Sequence, residues 1–437
     1  MYRGKDRETG YLFKELCPFG GKLNENNRWM KISKLLPWKE LENKYRSYFS
    51  DKGRPGLDGR LVVGLLLLKH MTGASDRDVV QTLSENPYWQ MFCGFDSFVT
   101  EPLLEASSLT KMRKRLGLKY IKELEGLTYK TLIDRKIIKG KGMLADGTIF
   151  PEDIKYPNDV GLLNDVRKWL EKNIKELGRK IGRKYRTYSR KAKKTYLKFS
   201  KTRKKTGKMI RRARREMLQY VRRNIRQLTE VIEIERAEAD EVLKERFEIG
   251  RKIYEQQMKM HKEKLRRVKD RIVSFQREYV RPMKRGKAGK NVEFGPKGAL
   301  SYVDGFLFLD KFDHNNFSEA ETKTVEGQIK NYQDKFGKVP PSFAGDQLYG
   351  NRGNRKLMRE LGIKSAFRPL GRQKEKFGKD RWCREKQKER NRIEGSFGNG
   401  KEHYRLDRIR YHGTEGAEMW VRSGILGMNL KMALAKV

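Results

Sequence analysis

Three acidic residues of this 437-residue chain stand where a strand or a helix would hold a carboxylate still. Asp146 follows an apolar stretch, 143–145, framed by Gly140 and Gly142, and runs into Gly147-Thr148. Asp346 follows Phe343-Ala344-Gly345 and leads into Gln347-Leu348-Tyr349-Gly350. Glu394 lies in ERNRIEGSFGNGK, where Arg390, Glu394 and Lys401 fall at i, i+4 and i+11, close to one face of a helix that runs on through the glycines. A carboxylate between two cations suits a site that holds metal ions against a phosphate backbone. Phosphodiester cleavage and joining need an activated attacking oxygen and a stabilised leaving oxygen, which two divalent ions about 3.5–4 Å apart supply. Hard Mg²⁺ takes oxygen ligands and needs few from the protein, because water and substrate phosphate fill the rest. Singly, each signal is ordinary: a strand-end Asp is usually a turn former or a helix cap, and an Arg/Glu/Lys face a surface salt-bridge ladder. Their order, strand–Asp, strand–Asp, helix–Glu, gives them weight.

A rigid scaffold has to bring these positions together from far apart. Around them the pattern reads as paired strands over 292–313, a helix over 322–336, a break at Pro340-Pro341, a strand over 342–344, a helix over 354–361 and a strand over 363–368. A glycine-interrupted helix follows over 385–405, with a basic loop, 372–384, before it, and an amphipathic helix, 420–435, comes last. This is an α/β core, a mixed sheet flanked by helices. Before it, residues 1–54 carry short helical patches such as 38–49, and Arg54-Pro55-Gly56 reads as a turn. From 57 to 117 short helices are joined by tight turns: Ser75 and Asp78 have the capping-box spacing, Ser107 or Ser108 is placed to cap the last, basic helix, and Gly117 to end it. Such an all-α domain, 55–135, suits DNA contact of the helix-turn-helix kind, with Lys111, Arg113 and Arg115 as its cations.

Between the first aspartate and the later strands lies a proline-free stretch, 161–279, followed by a Gly/Lys-rich linker, KRGKAGKN. Leu218, Val221, Ile225, Leu228 and Ile232 alternate by three and four, as do His261, Leu265, Val268, Ile272, Phe275 and Tyr279, which predicts two seams of an antiparallel helical hairpin. Between Arg179 and Arg226 the sole acid is Glu216, with Tyr185, Tyr188, Tyr196 and Phe199 among the cations. Like charges along a helix repel unless an anion neutralises them, so this arm, Arg211, Arg212, Arg214 and Arg215 included, is expected to bind DNA backbone, with cations on every face. The seams would pack on each other or on a second subunit, and a homodimer is expected.

The whole chain points the same way. With 101 Lys+Arg against 56 Asp+Glu its net charge is +45, which calls for a polyanion, nucleic acid before an anionic membrane. At 37% hydrophobic, with 6 Trp, 19 Tyr and 20 Phe, it buries a core and is unlike a histone-type packing protein. Cys17, Cys93 and Cys383 are widely spaced and make neither a disulfide framework nor a zinc site. The charged N-terminus lacks the apolar core of a signal peptide, and the longest apolar run, 61–68, is too short to span a bilayer, so a cytoplasmic, nucleoid-associated protein is expected, with no membrane partner.

LADGTIFPEDIKYPNDVGLLND, FAGDQLYG with NRGN, and RNRIEGSFGNGKEHYRLDRIRYHG with WVRSGILGMNL resemble, in that order, the first-aspartate, second-aspartate and glutamate blocks of the DDE transposases of bacterial insertion sequences. Residues 57–117 resemble the family's N-terminal helical domain. Arg390, Glu394 and Lys401 match its Arg–Glu–Lys spacing; where the family motif often has a Tyr three residues before the Arg, this chain has Gln387. The resemblance implies a ribonuclease H-like catalytic domain, 136–169 with 291–437, in which Asp146, Asp346 and Glu394 chelate two Mg²⁺ ions, Mn²⁺ substituting. It implies that Arg390 and Lys401 grip terminal inverted repeats, that target DNA is a second partner, and that Asp159 and Asn164 support the loop beside the first aspartate. Residues 170–290 lie outside the match and read as an insertion after the first strand. Two rivals share features of this reading: a ribonuclease H-like nuclease or resolvase that cuts without joining, and a non-catalytic domesticated nucleic-acid-binding descendant.

Overall fold

The computed structural model describes residues 18–53, 55–101, 103–234, 239–284, 292–368, 370 and 380–437. Cys17, the charged N-terminal segment, Arg54 of the expected turn, most of the KRGKAGKN linker and 371–379 of the basic loop lie outside the described residues. The described helices, in chain order, are α1 (Arg28–Leu35), α2 (Trp38–Arg46), α3 (Gly59–Thr72), α4 (Asp76–Glu85), α5 (Pro87–Phe92), α6 (Ala106–Asp134), α7 (Asp159–Lys180), α8 (Ser189–Lys201), α9 (Gly207–Thr229), α10 (Glu241–Lys262), α11 (Thr322–Phe336), α12 (Arg352–Glu360), α13 (Arg381–Glu389), α14 (Asn391–His403) and α15 (Thr414–Leu434). The strands are β1 (Met143–Ile149), β2 (Pro282–Lys284), β3 (Val292–Phe294), β4 (Lys297–Val303), β5 (Phe306–Asp313), β6 (Ser342–Ala344) and β7 (Lys364–Ser365). Two compact units result: Met1–Glu152 with Pro296–Val437, and Asp153–Gly295. No helix among the described residues is long and apolar enough to cross a membrane.

The first unit is mixed α/β, around a five-stranded sheet of order β5-β4-β1-β6-β7. β1 is antiparallel to β4, with Asp146 opposite Leu300 and Ile149 opposite Lys297; β4 is antiparallel to β5. On its other side β1 is parallel to β6, Leu144 opposite Ala344, and β6 is parallel to β7. Side chains alternate between the faces of a strand. Met143 and Ala145 therefore join Val303, Phe306 and Phe308 in a core shared with α3, α6, α11 and α15. Leu144 and Ala344 pack on the other face with Ala366, Trp382 and Cys383. Trp382 is thus on α13 rather than in a loop, and Cys93 and Cys383 are buried free thiols.

The helices expected to stand apart, 55–135, share that continuous core. α3 is apolar all round, as a fully surrounded helix must be, and is buried from Leu61 to Met71; Asp58 caps it and Gly73, left-handed, ends it. α4 has its capping box, Ser75 and Asp78. Ser107 and Ser108 lie inside α6, which Glu105 precedes. Gly117, at φ 65° and ψ −174°, breaks the helix, a backbone open to glycine. The chain then resumes helix to Asp134, because Tyr120, Ile121 and Leu124 continue the buried face of Leu109 and Leu116.

The second unit packs α9 against α7, α8 and α10, with the β2–β3 ribbon at its end of the chain. It begins at Asp153, not at 170, because α7 buries Val160, Leu163, Val166, Leu170 and Ile174 within it. α9 turns Ala213, Met217, Leu218, Val221 and Leu228 inward, so the arm has an apolar face and cations do not cover every side. The expected second seam fails: α10 ends at Lys262. Lys262, Lys264, Arg266, Arg267 and Lys269 would crowd a continued helix with like charge, and Lys264 and Asp270 take positive φ instead. The chain doubles back along α10, where Gln256 donates to the Asp270 carbonyl (3.1 Å) and accepts from the Ile272 N–H (3.0 Å). Ile272 and Phe275 are buried from this irregular return. Of the other expected seam residues, His261, Val268 and Tyr279 are half-buried and Leu265 is exposed, so the spacing marks neither a helix nor a continuous buried face there.

Candidate active site

Parallel pairing of Leu144 with Ala344 brings the aspartates together, since each lies two residues further along its own chain. Asp146 is half-buried on β1 and accepts its neighbour Gly147's N–H at 2.8 Å. Asp346 accepts from Leu348 N–H (2.8 Å), capping the 3-10 turn Gln347–Gly350. It is therefore a cap as well as a candidate ligand. α14 continues through its glycines as expected, and Gly400 leaves room for the buried Leu406 side chain, which a Cβ would meet at 2.9 Å. Glu394, exposed on α14, accepts from Arg390 Nη1 at 3.0 Å, and the same nitrogen is 3.8 Å from Asp146 Oδ2. One guanidinium thus bridges the first aspartate and the glutamate. Lys401 lies half-buried two turns further along α14.

Burial pushes the Asp146 carboxyl up to about 6, with Asp346 and Glu394 adding to the rise while the Gly147 N–H and Arg390 oppose it. The site is a concentration of negative charge short of positive charge. Among the described residues no three His, Cys, Asp or Glu side chains gather closely enough to hold a metal ion; Glu394 is turned to Arg390. The donors are nonetheless hard carboxylate oxygens, their mutual repulsion is answered by one arginine, and the buried Tyr349 hydroxyl beside them has no hydrogen-bond partner among the described residues. This set fits Mg²⁺ better than a soft metal.

Sequence reasoning missed three neighbours. The Tyr349 ring packs on Gly345, where a Cβ would meet it at 2.5 Å, and its phenol is pushed far up by burial, then by Asp146, Glu319, Asp346 and Asp310. Glu319 lies against Gly147 and is ion-paired to Lys297, which also donates to the Phe317 carbonyl at 3.0 Å. Neither Glu319 nor Lys297 carries a motif that would have revealed it. Gln387, in place of the family's tyrosine, donates to the Ala366 carbonyl (2.6 Å) and the Gly345 carbonyl (3.3 Å). It fastens α13 to the strand ends beside Asp346.

The candidate DNA contacts divide in two. Lys111, Arg115, Arg211, Arg212 and Arg215 are exposed, Arg115 over the Phe49 ring and Arg212 beside Glu216. Arg113 is 8% exposed and bidentate to Asp76 at 2.9 and 2.6 Å; Arg214 is also 8% exposed and bound to Asp159 at 3.2 Å. Both guanidiniums are spent inside the protein. Asp159 and Asn164, expected to support the loop beside the first aspartate, hold the helical unit: Asp159 accepts from Arg214, Gln257 and Arg271, Asn164 from Arg167. Tyr188 carries Arg186 and Arg223 on its ring, so this aromatic spaces cations along the arm.

Comparison with known proteins gives two family matches, Transposase domain (DUF772) over residues 18–115 and Transposase DDE domain over 343–431. The second includes Asp346, Arg390, Glu394 and Lys401; Asp146 lies outside it. The chain is also similar to an uncharacterized protein, ORF8 in the nfe locus of Rhizobium meliloti, 30% identical over 166 residues, which are 37% of this chain and 80% of that protein. No solved structure matches.

Proposed function

This chain belongs to the DDE transposases of the insertion-sequence type, and from that premise we propose that it cuts DNA at the terminal inverted repeats of its element and joins the freed ends to target DNA. The observation that carries the proposal is the parallel pairing of β1 with β6, which aligns Asp146 with Asp346 and leaves Arg390 between Asp146 and Glu394. The strand order β5-β4-β1-β6-β7, antiparallel on one side of β1 and parallel on the other, supports a ribonuclease H-like core. Two Mg²⁺ ions, or Mn²⁺ in their place, held by Asp146, Asp346 and Glu394 would activate the attacking oxygen and stabilise the leaving one.

The chain's own groups do the rest. A DNA phosphate offers Arg390 a better bidentate partner than a carboxylate it already shares, so end DNA draws the guanidinium off Glu394 and frees that carboxylate for the site. Lys401, two turns on, holds the strand as a second cation. Gln387 keeps α13, which leads through Arg390 into α14, in register with Asp346. Lys111, Arg115, Arg211, Arg212 and Arg215 contact backbone rather than bases, since a dense field of cations positions DNA without reading it. An element has two ends and this chain one candidate site, so a homodimer is the smallest assembly that serves both.

The test is cleavage and joining of a labelled duplex carrying the element's end. Cleaved and joined products in Mg²⁺ or Mn²⁺, binding with little chemistry in Ca²⁺, and none in excess chelator are expected. Cleavage that persists in chelator rules the mechanism out, and cleavage that never yields joined product makes the chain a nuclease.

A further inference from the structure

α13 and α14 present two sets of side chains. Gln387, Arg390 and Glu394 turn to the aspartate-bearing strands, as their contacts show. Lys386, Glu389 and Arg392, at spacings of three, line something else: a cleft of about 870 Å³ at the starts of β1 and β6, by Met143 and Ser342. Its far wall is the segment after α6, with Lys136, Lys139 and Lys141, and Lys436 closes it.

This cleft is built to present positive charge. The Asp304 carboxylate accepts the backbone N–H groups of Lys139 (2.8 Å), Gly140 (2.7 Å) and Lys141 (3.4 Å). Asp304 thereby fixes the loop with both lysine side chains exposed, while its charge still draws on Lys436. Glu389 is paired with Lys386 at 2.8 Å. No hydrogen bond or ion pair to a described residue is made by the side chains of Lys136, Lys139, Lys141 and Arg392, all exposed. Lys436 feels the crowding: burial, and then the neighbouring Lys139 and Lys141, hold its ammonium below the usual range, against the pull of Asp304. Four cations without partners around one cleft repel one another until an anion enters. A small anion satisfies one or two of them; a polyphosphate backbone spans the set.

We propose that this cleft is a second duplex-binding site, holding phosphodiester backbone of a DNA segment other than the one at the carboxylates. The proposal rests on the transposase reading, which requires two DNA partners, and adds where the second lies: along the other side of the helices that carry Arg390 and Glu394. Two sources of that duplex share its chemistry, target DNA and the flank beyond the element's end.

The test uses the full chain with Lys136→Gln, Lys139→Gln and Lys141→Gln combined, three exposed positions. With an end duplex carrying only a few base pairs of flank, too short to reach the cleft, cleavage stays within about twofold of wild type. Joining to a target duplex falls by about tenfold or more if the cleft holds target; cleavage of an end with a long flank falls instead if it holds flank. Either result supports the site. Equal loss on every substrate, or no loss on any, overturns it. Independently of catalysis, an unrelated duplex without divalent metal should protect Lys139 and Lys141 of the wild-type protein from amine acylation. Their full reactivity in saturating DNA also overturns the site, whereas absence of all metal-dependent cleavage by wild type sinks the transposase chemistry and leaves the protection readout standing.

Discussion

The two units handle like charge in opposite ways. In the sheet unit the candidate site concentrates its acids: Asp146, Asp346 and Glu394 stand close enough to disturb one another, and burial sharpens the conflict. In the helical unit cations are many but spread, on the outer faces of α8 and α9, while α9's inner face is apolar. A concentrated charge creates an appetite for a small ion of opposite sign in one place. A dispersed one makes a long, forgiving surface that neutralises a polymer without fixing its register. Of the cations expected to contact DNA, Arg113 in the sheet unit and Arg214 in the helical unit are the buried ones, and each guanidinium is held by a carboxylate, Asp76 and Asp159.

The largest effect tests the concentrated side. Asp146→Asn, Asp346→Asn and Glu394→Gln should each lower end cleavage by about a thousandfold or more while DNA affinity holds, because each removes an anionic oxygen at nearly constant volume. Full activity in any one removes that residue from the site. Next comes the dispersed side. Replacing Lys191, Lys194, Lys198, Arg211, Arg212 and Arg215 by Gln should flatten the salt dependence of binding by up to about 5 in slope, at about 0.9 for each phosphate no longer neutralised, with the melting temperature little changed. Arg214→Gln should do the reverse, costing about 3 kcal/mol of stability as a broken buried pair while the slope stays put. If Arg214 behaved like its exposed neighbours, the distinction between the two kinds of cation would collapse.

A smaller effect is expected at Gln387. Gln387→Ala leaves the Gly345 and Ala366 carbonyls without their donor, a loss of about 1–2 kcal/mol. Cleavage should drop about tenfold with kcat, not DNA affinity, carrying the change; a fall in affinity alone would make Gln387 a DNA contact. The smallest concerns Asp310, half-buried on β5. Burial raises its carboxyl to about 6, against the pull of Lys335, Ser301, Asn331 and Gln328. The folded state therefore keeps a proton that the unfolded chain, at about 3.9, has released. That contribution is complete below about pH 4 and is lost as pH rises through about 6. With partial exposure it amounts to about 1 kcal/mol. Asp310→Asn should remove this slope from melting curves taken between about pH 4 and 7; an unchanged slope assigns the pH dependence elsewhere.

What could be read in advance follows from how each feature is encoded. β1 and the 342–344 strand were legible because apolar runs bounded by glycine and proline end in a charged residue, and α11 because its ends coincide with its periodicity. The Arg390–Glu394 relation is local, four residues on one helix, and the spacing states it directly. Tyr349, Glu319 and Lys297 were not legible as neighbours of Asp146, because only the β1–β4 and β1–β6 ladders bring them there. In the helical unit the three-and-four spacing over 261–279 predicts a helix that ends at Lys262 instead, and of its six positions only Ile272 and Phe275 are buried, since the run of cations over 262–269 overrides the pattern. Arg113 and Arg214 looked like their neighbours in sequence because their partners, Asp76 and Asp159, are far away along the chain.

The antiparallel pairing of Ile149 with Lys297, continued by the Phe150 N–H to Pro296 carbonyl bond at 2.9 Å, has a consequence for the economy of the fold. The chain leaves the sheet and returns to it at adjacent points, with roughly 140 residues between. Seen from the sheet, that whole excursion is one loop closure. Its entropic cost grows only with the logarithm of length, about 3 kcal/mol more than a tight turn even for a structureless loop, and less for a segment that condenses on its own core. Sheet registry is thus nearly indifferent to what fills the gap, and this gap can gain, lose or exchange a whole folded module without moving either aspartate.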